Sequence, residues 1–185
     1  MSRYTRPELL SADHDVSGFD CGSVAQTDWL RRHGLQAQRS GSSRVYVVRL
    51  ADTQTVVGYY ALAAGSISRE EAPPRVTSGL GRHPVPVVIL TRLGVDVGQQ
   101  GMGLGSNLVR DGFLQVLSIA ERVGVRALLI HAEAGDVAAF YRRISPAFEP
   151  SETDPLHLTL LIKDLRTAIR TATETTTGER GRSGG

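Results

Sequence analysis

A glycine-rich hexapeptide is the segment of this sequence whose residue types and spacing best suit chemistry: Gln100-Gly101-Met102-Gly103-Leu104-Gly105. Glycine tolerates positive φ and has no Cβ, so a ligand can approach the main chain closely at three of the six positions. The segment runs into a predicted helix, where unpaired N–H groups and the helix dipole favour a phosphate. The turn therefore predicts a ligand that carries a pyrophosphate.

Two common phosphate-binding motifs do not fit this turn. A P-loop has Gly-Lys-Ser/Thr at the start of its helix, whereas Gly105-Ser106-Asn107 contains no lysine. A dinucleotide fingerprint spaces its glycines as G-x-G-x-x-G, whereas the glycines here fall at 101, 103 and 105. Glu133, at the end of the next predicted strand, is only a weak match to the acidic residue of that fingerprint. A glycine-rich connection that binds nothing is the alternative interpretation.

The elements that must position this turn follow from apolar periodicity, which predicts a mixed α/β fold. A β-prone run over 85–96 precedes the turn, and apolar residues recur at steps of three or four over 104–123. A buried strand over 126–133 completes a strand–helix–strand crossover, which requires part of the sheet to be parallel. The other predicted elements are a helix over 23–38 capped by Ser23, strands over 44–51, 56–67 and 156–165, a long loop or short broken helix over 69–84, and a short helix over 136–144.

Length and composition indicate one soluble domain. The 185 residues are 41% hydrophobic and 22% charged, which is ordinary for a globular protein with one core. No apolar run reaches the roughly 18 residues that a membrane span needs, and the N-terminus lacks the apolar stretch of a secretory signal. We therefore expect a cytoplasmic protein without membrane contact. The Thr/Gly/Arg-rich stretch 171–185 predicts a disordered tail, which leaves residues 1–170 as the domain.

Cysteine and arginine usage narrow the possible partners. The lone Cys21 excludes an internal disulfide and a thiolate metal cluster, so no metal is expected, and Cys21 itself is interpreted as a small buried residue. Of 21 basic residues only Lys163 is a lysine. A GC-rich genome explains this arginine bias, and the alternative is a polyanionic partner, which suits the planar guanidinium.

The series of motifs along the chain resembles a known family. Gln100-x-x-Gly103-x-Gly105 after a strand is similar to the Q/R-x-x-G-x-G/A signature of GNAT acetyltransferases. Further segments follow the order of the GNAT toxins of type II toxin–antitoxin modules, the TacT-like enzymes that acetylate aminoacyl-tRNA. They are Phe19-Asp20-Cys21-Gly22, Trp29-Leu30, Gly58-Tyr59-Tyr60-Ala61-Leu62, Leu93-Gly94-Val95-Asp96 and Ala139-Phe140-Tyr141. The resemblance spans about residues 8–166.

This resemblance implies the GNAT fold, a mixed and partly splayed central sheet flanked by helices, with acetyl-CoA as co-substrate. Main-chain amides of the glycine turn would hold the CoA diphosphate, and free main-chain groups of the preceding strand would hold the pantetheine arm and thioester. The implied cofactor-binding residues are Leu93, Gly94, Val95, Gln100, Gly101, Met102, Gly103, Leu104, Gly105 and Phe140.

Tyr141 is the catalytic residue that the resemblance implies, as the acid that protonates the departing thiolate. A phenol with a pKa of about 10 is protonated at neutral pH and can donate. The alternative is a packed aromatic ring whose hydroxyl merely finds a partner. His131, Glu133 and Asp136 are conceivable bases, but an edge histidine, a solvated carboxylate and a helix N-cap are the interpretations we favour. No general base is assigned.

Other residues have weaker functional interpretations. Tyr59 and Tyr60 point to opposite faces of their strand and are expected to pack in the core. Arginines that could contact a tRNA backbone, or simply be solvated, are Arg31, Arg32, Arg75, Arg82 and Arg92. One departure from the family pattern follows Tyr141, where Ser145-Pro146-Ala147 replaces a glycine turn before Phe148.

The leading hypothesis is a toxin that acetylates the α-amine of aminoacyl-tRNA and so blocks translation. The resemblance further implies a homodimer and a ribbon-helix-helix antitoxin, with DNA contacted only through the antitoxin complex. One alternative is a GNAT enzyme acting on a small amine or a protein N-terminus. Another is a non-catalytic CoA-binding regulatory subunit.

Overall fold

The computed structural model describes residues 3–180, which form a mixed α/β fold, as the sequence predicts. The strands are β1 (Glu8–Leu9), β2 (Arg44–Arg49), β3 (Val56–Ile67), β4 (Val85–Val95), β5 (Ala127–His131), β6 (Glu149–Pro150) and β7 (His157–Leu161). The α-helices are α1 (Val24–Trp29), α2 (Leu35–Ser40), α3 (Pro74–Thr77), α4 (Leu104–Ala120), α5 (Gly135–Ile144) and α6 (Ile162–Arg180). A π-helical turn, Leu30–Gly34, joins α1 to α2, and a 3-10 turn, Val97–Gln99, precedes the glycine turn.

The strands form one sheet in the order β1-β2-β3-β4-β5-β7-β6. The pairs β1·β2, β2·β3, β5·β7 and β6·β7 are antiparallel. β4 and β5 are neighbours in the sheet although α4 lies between them in the chain. The glycine turn lies at the start of α4, on the connection between these two strands. The parallel pairing that the predicted crossover requires stays a prediction.

The described chain divides into two compact units, of which the first comprises the chain up to Ala64 together with Ile89–Gly112. Gly58 of β3 has no side chain to keep α4 away. A Cβ there would lie 3.0 Å from Cδ1 of Leu108, so the first half of α4 packs directly on the strand. The buried core on the β1–β3 side consists of Leu10, Phe19, Leu30, Val45, Val47, Val56, Tyr59 and Ala61.

The second unit comprises Gly65–Val88 together with the chain from Phe113 onward. Its central pair, β5 and β7, runs in register from Ala127 opposite Leu161 to His131 opposite His157. Arg126, just before β5, donates from Nε to the carbonyl of Val76 (3.0 Å) and from Nη2 to that of Ser78 (3.0 Å). These bonds fix the turn around α3, in the segment that the sequence predicts as a long loop or short broken helix.

Most element boundaries follow the sequence prediction, with one clear error near the C-terminus. Ser23 caps α1, as predicted, because its Oγ accepts from the N–H of Gln26 at 3.3 Å. The predicted strand over 156–165 is wrong after residue 161, where α6 begins. The apolar run continues through Ile162 and Leu165, but these two buried residues are three apart, the spacing of one helix face rather than of one strand face.

The disordered tail that the composition predicts over 171–185 stays a prediction. The structure describes α6 as far as Arg180, and residues 181–185 lie outside the described range. A single domain over 1–170 stays a prediction. Within residues 3–180, no helix has both the length and the hydropathy needed to cross a membrane.

Candidate active site

The glycine turn is open and has the backbone conformation that its glycines predict. Gly101 and Gly103 have φ of +74° and +80°, in the region that L side chains rarely adopt. A Cβ added at either position would meet nothing within 4 Å, so the space above the main chain is open to a ligand. The first N–H groups of α4 have no carbonyl partner within the helix. The residues present therefore fit a bound diphosphate, held by main-chain amides.

Gln100 positions this turn through its own side chain. Its Nε2 donates to the carbonyl of Val95 at 2.9 Å and to the carbonyl of Cys21 at 3.0 Å. Both amide hydrogens are therefore engaged by the protein. Gln100 clamps the turn to the end of β4 and to the loop before α1, and this role accounts for a glutamine at the first position of the motif.

Asp96 ties the same pieces together from the end of β4. Its Oδ1 accepts from the N–H of Gly98 at 2.9 Å and its Oδ2 accepts from the N–H of Asp20 at 3.1 Å. The N–H of Val97 donates to the carbonyl of Asp20 at 2.8 Å. The motifs at 19–22 and 93–96, which are separate in sequence, thus form one hydrogen-bonded unit beneath the turn.

Gly94 is buried and has a packing reason to be glycine. A Cβ at this position would lie 2.8 Å from Cε1 of Tyr59 and 3.3 Å from Cζ of Phe19. The flanking Leu93 and Val95 are half-buried. β4 has 11 residues and β5 has 5, so part of β4 has no ladder partner on β5. This length difference leaves room for main-chain groups at 93–95 that are not hydrogen-bonded to β5. That these groups are free to bind a ligand stays a prediction.

Tyr141, on α5 in the second unit, combines a buried ring with a free hydroxyl. The residue is 4% exposed, and its ring packs edge-on against Phe140 and Phe148 at centroid distances of 5.2 and 6.2 Å. Among residues 3–171, whose side chains the structure describes, the hydroxyl has no hydrogen-bond partner. No side-chain N or O of these residues is both buried and unpartnered, so the hydroxyl must reach accessible space. Burial, and then the negative charge of Glu133, raise the pKa of Tyr141. The phenol is thus a protonated donor that has no acceptor among the described side chains.

The departure from the family pattern after Tyr141 is accommodated without a glycine. α5 ends at Ile144, and the N–H of Ser145 donates back to the carbonyl of Tyr141 at 3.0 Å. Ser145 is buried, and the following turn returns Phe148 to the tyrosine ring. The aromatic contact is therefore kept although the turn chemistry differs.

Two of the candidate bases, His131 and Asp136, make specific contacts of their own, and the third, Glu133, lies at the surface. His131 stacks on His157 with ring centroids 3.9 Å apart. Partial burial, and then the charge of His157, lower the pKa of His131. Asp136 is not the N-cap that the sequence suggests, because α5 begins at Gly135 with Ala134 in the cap position. Asp136 instead accepts from the N–H of Val137 at 2.9 Å. Glu133 is exposed.

The two core tyrosines are buried, as predicted, whereas Cys21 is only partly buried. Tyr59 and Tyr60 are both fully buried. The hydroxyl of Tyr60 donates to Asp111, and burial together with this hydrogen bond raises the pKa of Tyr60 well above its ordinary value. Cys21 is half-buried and contacts Thr27, with Sγ 3.4 Å from Oγ1, as a packing residue would.

Three of the five candidate arginines are engaged by the protein. Arg75 forms ion pairs with Glu149 and Asp164. The guanidinium of Arg92 lies over the ring of Trp29, 5.5 Å from its centroid. Arg32 pairs weakly with Asp28, at 3.8 Å. Arg31 and Arg32 also line a surface cavity of about 460 Å³. Asp15 and Asp28 line the same cavity, so its walls carry both positive and negative side chains. Arg82 is exposed.

Sequence reasoning missed a contact of the N-terminal segment with the glycine turn. Arg3 Nη1 lies 3.4 Å from Sδ of Met102, and the hydroxyl of Tyr4 donates to Oε1 of Gln99 at 2.9 Å. Nearly one hundred residues separate these partners in the chain, so no local pattern signals the contact. Among the described residues, no group of His, Cys, Asp and Glu side chains could hold a metal ion.

The chain is similar in sequence to known toxins. No protein-family model matches the chain. The chain is 43% identical over 169 residues to a "tRNA-acetylating toxin" of Mycobacterium tuberculosis, an alignment that covers 91% of this chain and 99% of the relative. It is 28% identical over 162 residues to a "Probable toxin TacT" of Sinorhizobium fredii, covering 84% and 90%.

Solved structures agree with these relatives. A tyrosine-to-phenylalanine mutant of KacT superposes with a TM-score of 0.82 at 26% identity, covering 90% of this chain and 99% of that one. AtaT complexed with acetyl-methionyl-tRNAfMet gives a TM-score of 0.80 at 27% identity, covering 89% and 98%. A tyrosine-to-phenylalanine mutant of AtaT, bound to the C-terminus of the antitoxin AtaR and to acetyl-CoA, gives 0.75 at 27% identity, covering 90% and 98%.

Proposed function

The chain belongs to the family of tRNA-acetylating GNAT toxins, and we propose that it transfers the acetyl group of acetyl-CoA to the α-amine of an aminoacyl-tRNA. Acetyl-CoA supplies an acetyl thioester, whose carbonyl carbon bonds to the amine nitrogen as its bond to sulfur breaks. The amine loses a proton and the departing thiolate gains one. An acetylated α-amine cannot form the next peptide bond, so the product blocks translation.

The observation that carries this proposal is the open glycine turn at the start of α4. Gly101 and Gly103 expose main-chain amides at a helix N-terminus, and this arrangement suits the diphosphate of CoA. Gln100 and Asp96 hold the turn in place from below, so the amides are positioned before the ligand arrives. The main-chain groups of Leu93, Gly94 and Val95, on the strand that leads into the turn, would hold the pantetheine arm. The remaining implied contacts are those of Met102, Leu104, Gly105 and Phe140.

Tyr141 supplies the proton for the thiolate in this proposal. Its hydroxyl makes no hydrogen bond in the described chain, and the raised pKa of the phenol keeps it protonated over the physiological range. Breaking the carbon–sulfur bond transfers the phenolic proton to sulfur, and the phenolate regains a proton from solvent. Positioned proton donation of this kind contributes about 10² to 10⁴-fold to a rate.

Proton removal from the amine needs no side chain of this chain. The α-amine of an aminoacyl ester is fairly acidic among amines, so an appreciable fraction is neutral near pH 7. The stacked His131, with its lowered pKa, and the exposed Glu133 are therefore not assigned as bases.

The proposed setting is a cytoplasmic toxin–antitoxin module. Support for an antitoxin partner comes from AtaT, which binds the C-terminus of its antitoxin AtaR. We extend this to a ribbon-helix-helix antitoxin that contacts DNA on behalf of the complex, and to a homodimeric toxin. Light scattering of the purified chain, alone and with the product of a neighbouring small gene, tests the dimer and the antitoxin separately.

The central experiment incubates the purified protein with labelled acetyl-CoA and total charged tRNA, followed by identification of the labelled aminoacyl product. Uncharged tRNA and free amino acids are the controls. Label on charged tRNA, lost in Tyr141→Phe, is the expected result. Label on free amines but not on charged tRNA would instead indicate a small-amine or N-terminal acetyltransferase. Binding of acetyl-CoA without turnover of any amine would indicate a regulatory subunit.

A further inference from the structure

The N-terminal segment places a positive charge beside the glycine turn. Arg3 Nη1 lies 3.4 Å from Sδ of Met102, the residue between the two left-handed glycines. Tyr4 reaches the same sulfur with its hydroxyl, at 3.6 Å, and also donates to Gln99 at 2.9 Å. The exposed face of the turn is therefore flanked by a guanidinium that the motif itself does not contain.

This position of Arg3 is fixed by main-chain hydrogen bonds. The carbonyl of Arg3 accepts from the N–H of Ala51 at 2.9 Å, and Tyr4 forms an antiparallel bridge with Leu50. The N–H of Thr5 donates to the carbonyl of Arg49 at 3.0 Å. The segment is thus an extension of the β1–β2 edge of the sheet rather than a free terminus.

The guanidinium of Arg3 has no charged partner in the described residues. Its hydrogen-bond partner there is a thioether, which is a weak acceptor, and it lies 5.7 Å from the centroid of the Tyr4 ring. A guanidinium carries five N–H donors in a planar fork that matches phosphate oxygens. Arg3 is exposed, so most of this donor capacity is available to a ligand at the turn.

We infer that Arg3 is a phosphate-binding residue for CoA, acting beside the main-chain amides of the glycine turn. The inference rests on the proposed function, because it takes CoA as the ligand of the turn. The ring of Tyr4 and the sulfur of Met102 orient the guanidinium before binding, which limits the entropy lost when the phosphate arrives. The shared chemistry is a phosphate, and CoA offers two sources, the diphosphate and the 3′-phosphate.

Calorimetric titration of CoA and of 3′-dephospho-CoA into wild type, Arg3→Gln, Arg3→Lys and Arg6→Gln tests the inference, with any purification tag at the C-terminus. Arg6 is the matched control, since it is an exposed arginine on the same segment and forms no hydrogen bond or ion pair with the turn among the described residues. Arg3→Gln is expected to weaken CoA binding about tenfold, as for an exposed charge-assisted hydrogen bond. The CoA affinity of Arg3→Lys should lie between those of wild type and Arg3→Gln. Arg6→Gln should change the CoA affinity less than about twofold.

The two ligands identify the phosphate. If Arg3→Gln loses the same affinity for CoA and for 3′-dephospho-CoA, the contact of Arg3 is with the diphosphate. If it loses affinity for CoA alone, the contact is with the 3′-phosphate. An affinity of Arg3→Gln equal to that of Arg6→Gln, or tighter than wild type, overturns the inference while the wild-type affinity still supports the proposed function. If wild type itself does not bind CoA, the proposed function fails as well.

Discussion

Replacing Gly94 with alanine tests the packing that holds the end of β4 in place. Alanine adds a single Cβ, which on the present backbone would lie 2.8 Å from Cε1 of Tyr59 and 3.3 Å from both Sγ of Cys21 and Cζ of Phe19. A Cβ essentially never approaches another heavy atom within 3.0 Å, so either the tyrosine ring or the strand must move.

The ring of Tyr59 has little freedom to move. It is fully buried, its hydroxyl donates to the carbonyl of Gln26 at 2.7 Å, and it stacks on Trp29 with centroids 6.0 Å apart. Overpacking of such a site costs about 1–3 kcal/mol. Alanine also restricts the unfolded chain, which returns about 0.4–1 kcal/mol. We therefore expect Gly94→Ala to lower the free energy of unfolding by about 1–2 kcal/mol.

Urea unfolding followed by fluorescence measures this change, and Trp29 is the single tryptophan and stacks on the affected ring. Gly124→Ala is the control, because a Cβ there meets nothing within 4 Å and its φ is not positive. The KM for acetyl-CoA should also rise in Gly94→Ala, since β4 leads into the glycine turn. Equal unfolding midpoints and m-values for the two variants would refute the claim that Tyr59 is rigidly packed against β4.

Three further predictions follow from single contacts. Tyr141→Phe should lower kcat about 10² to 10⁴-fold in steady-state assays. It should leave the unfolding midpoint unchanged, because the hydroxyl makes no hydrogen bond in the described chain. Because the pKa of Tyr141 is raised, the wild-type enzyme should lose no activity through ionisation of the phenol up to about pH 10. Gln100→Leu should lower the free energy of unfolding by about 1–3 kcal/mol, because two hydrogen bonds are lost. It should also raise the KM for acetyl-CoA, and an unchanged KM would show that the hydrogen bonds of Gln100 do not shape the glycine turn. The hydrogen bond from Arg49 lowers the pKa of Glu8, so the pair stabilises the fold above the pKa of Glu8 in the unfolded chain, and this stabilisation is lost as pH falls through the pKa of Glu8 in the folded chain. The difference in free energy of unfolding between wild type and Glu8→Gln, measured by urea titration, should therefore shrink between about pH 7 and about pH 3. A difference that stays constant with pH would contradict this prediction.

Much of the fold and part of the site could be predicted because their signals are local. The turn 100–105, the periodicity of α4 and the β-prone run of β4 each lie within one short stretch, so composition and spacing are sufficient to detect them. The boundary between β7 and α6 was not predictable in this way. The apolar run crosses it without a break, and only the packing of Ile162 and Leu165 on one helix face determines where the strand ends.

The sequence by itself indicated that a helix begins after a glycine-rich turn suited to phosphate, since glycine permits a left-handed backbone and carries no side chain to cover the main chain. Only the tertiary structure decided which side chains hold that turn. Gln100 and Asp96 reach a loop nearly eighty residues away, and Arg3 reaches Met102 across almost one hundred. Such contacts depend on where the sheet brings distant segments together, and no local pattern encodes that placement.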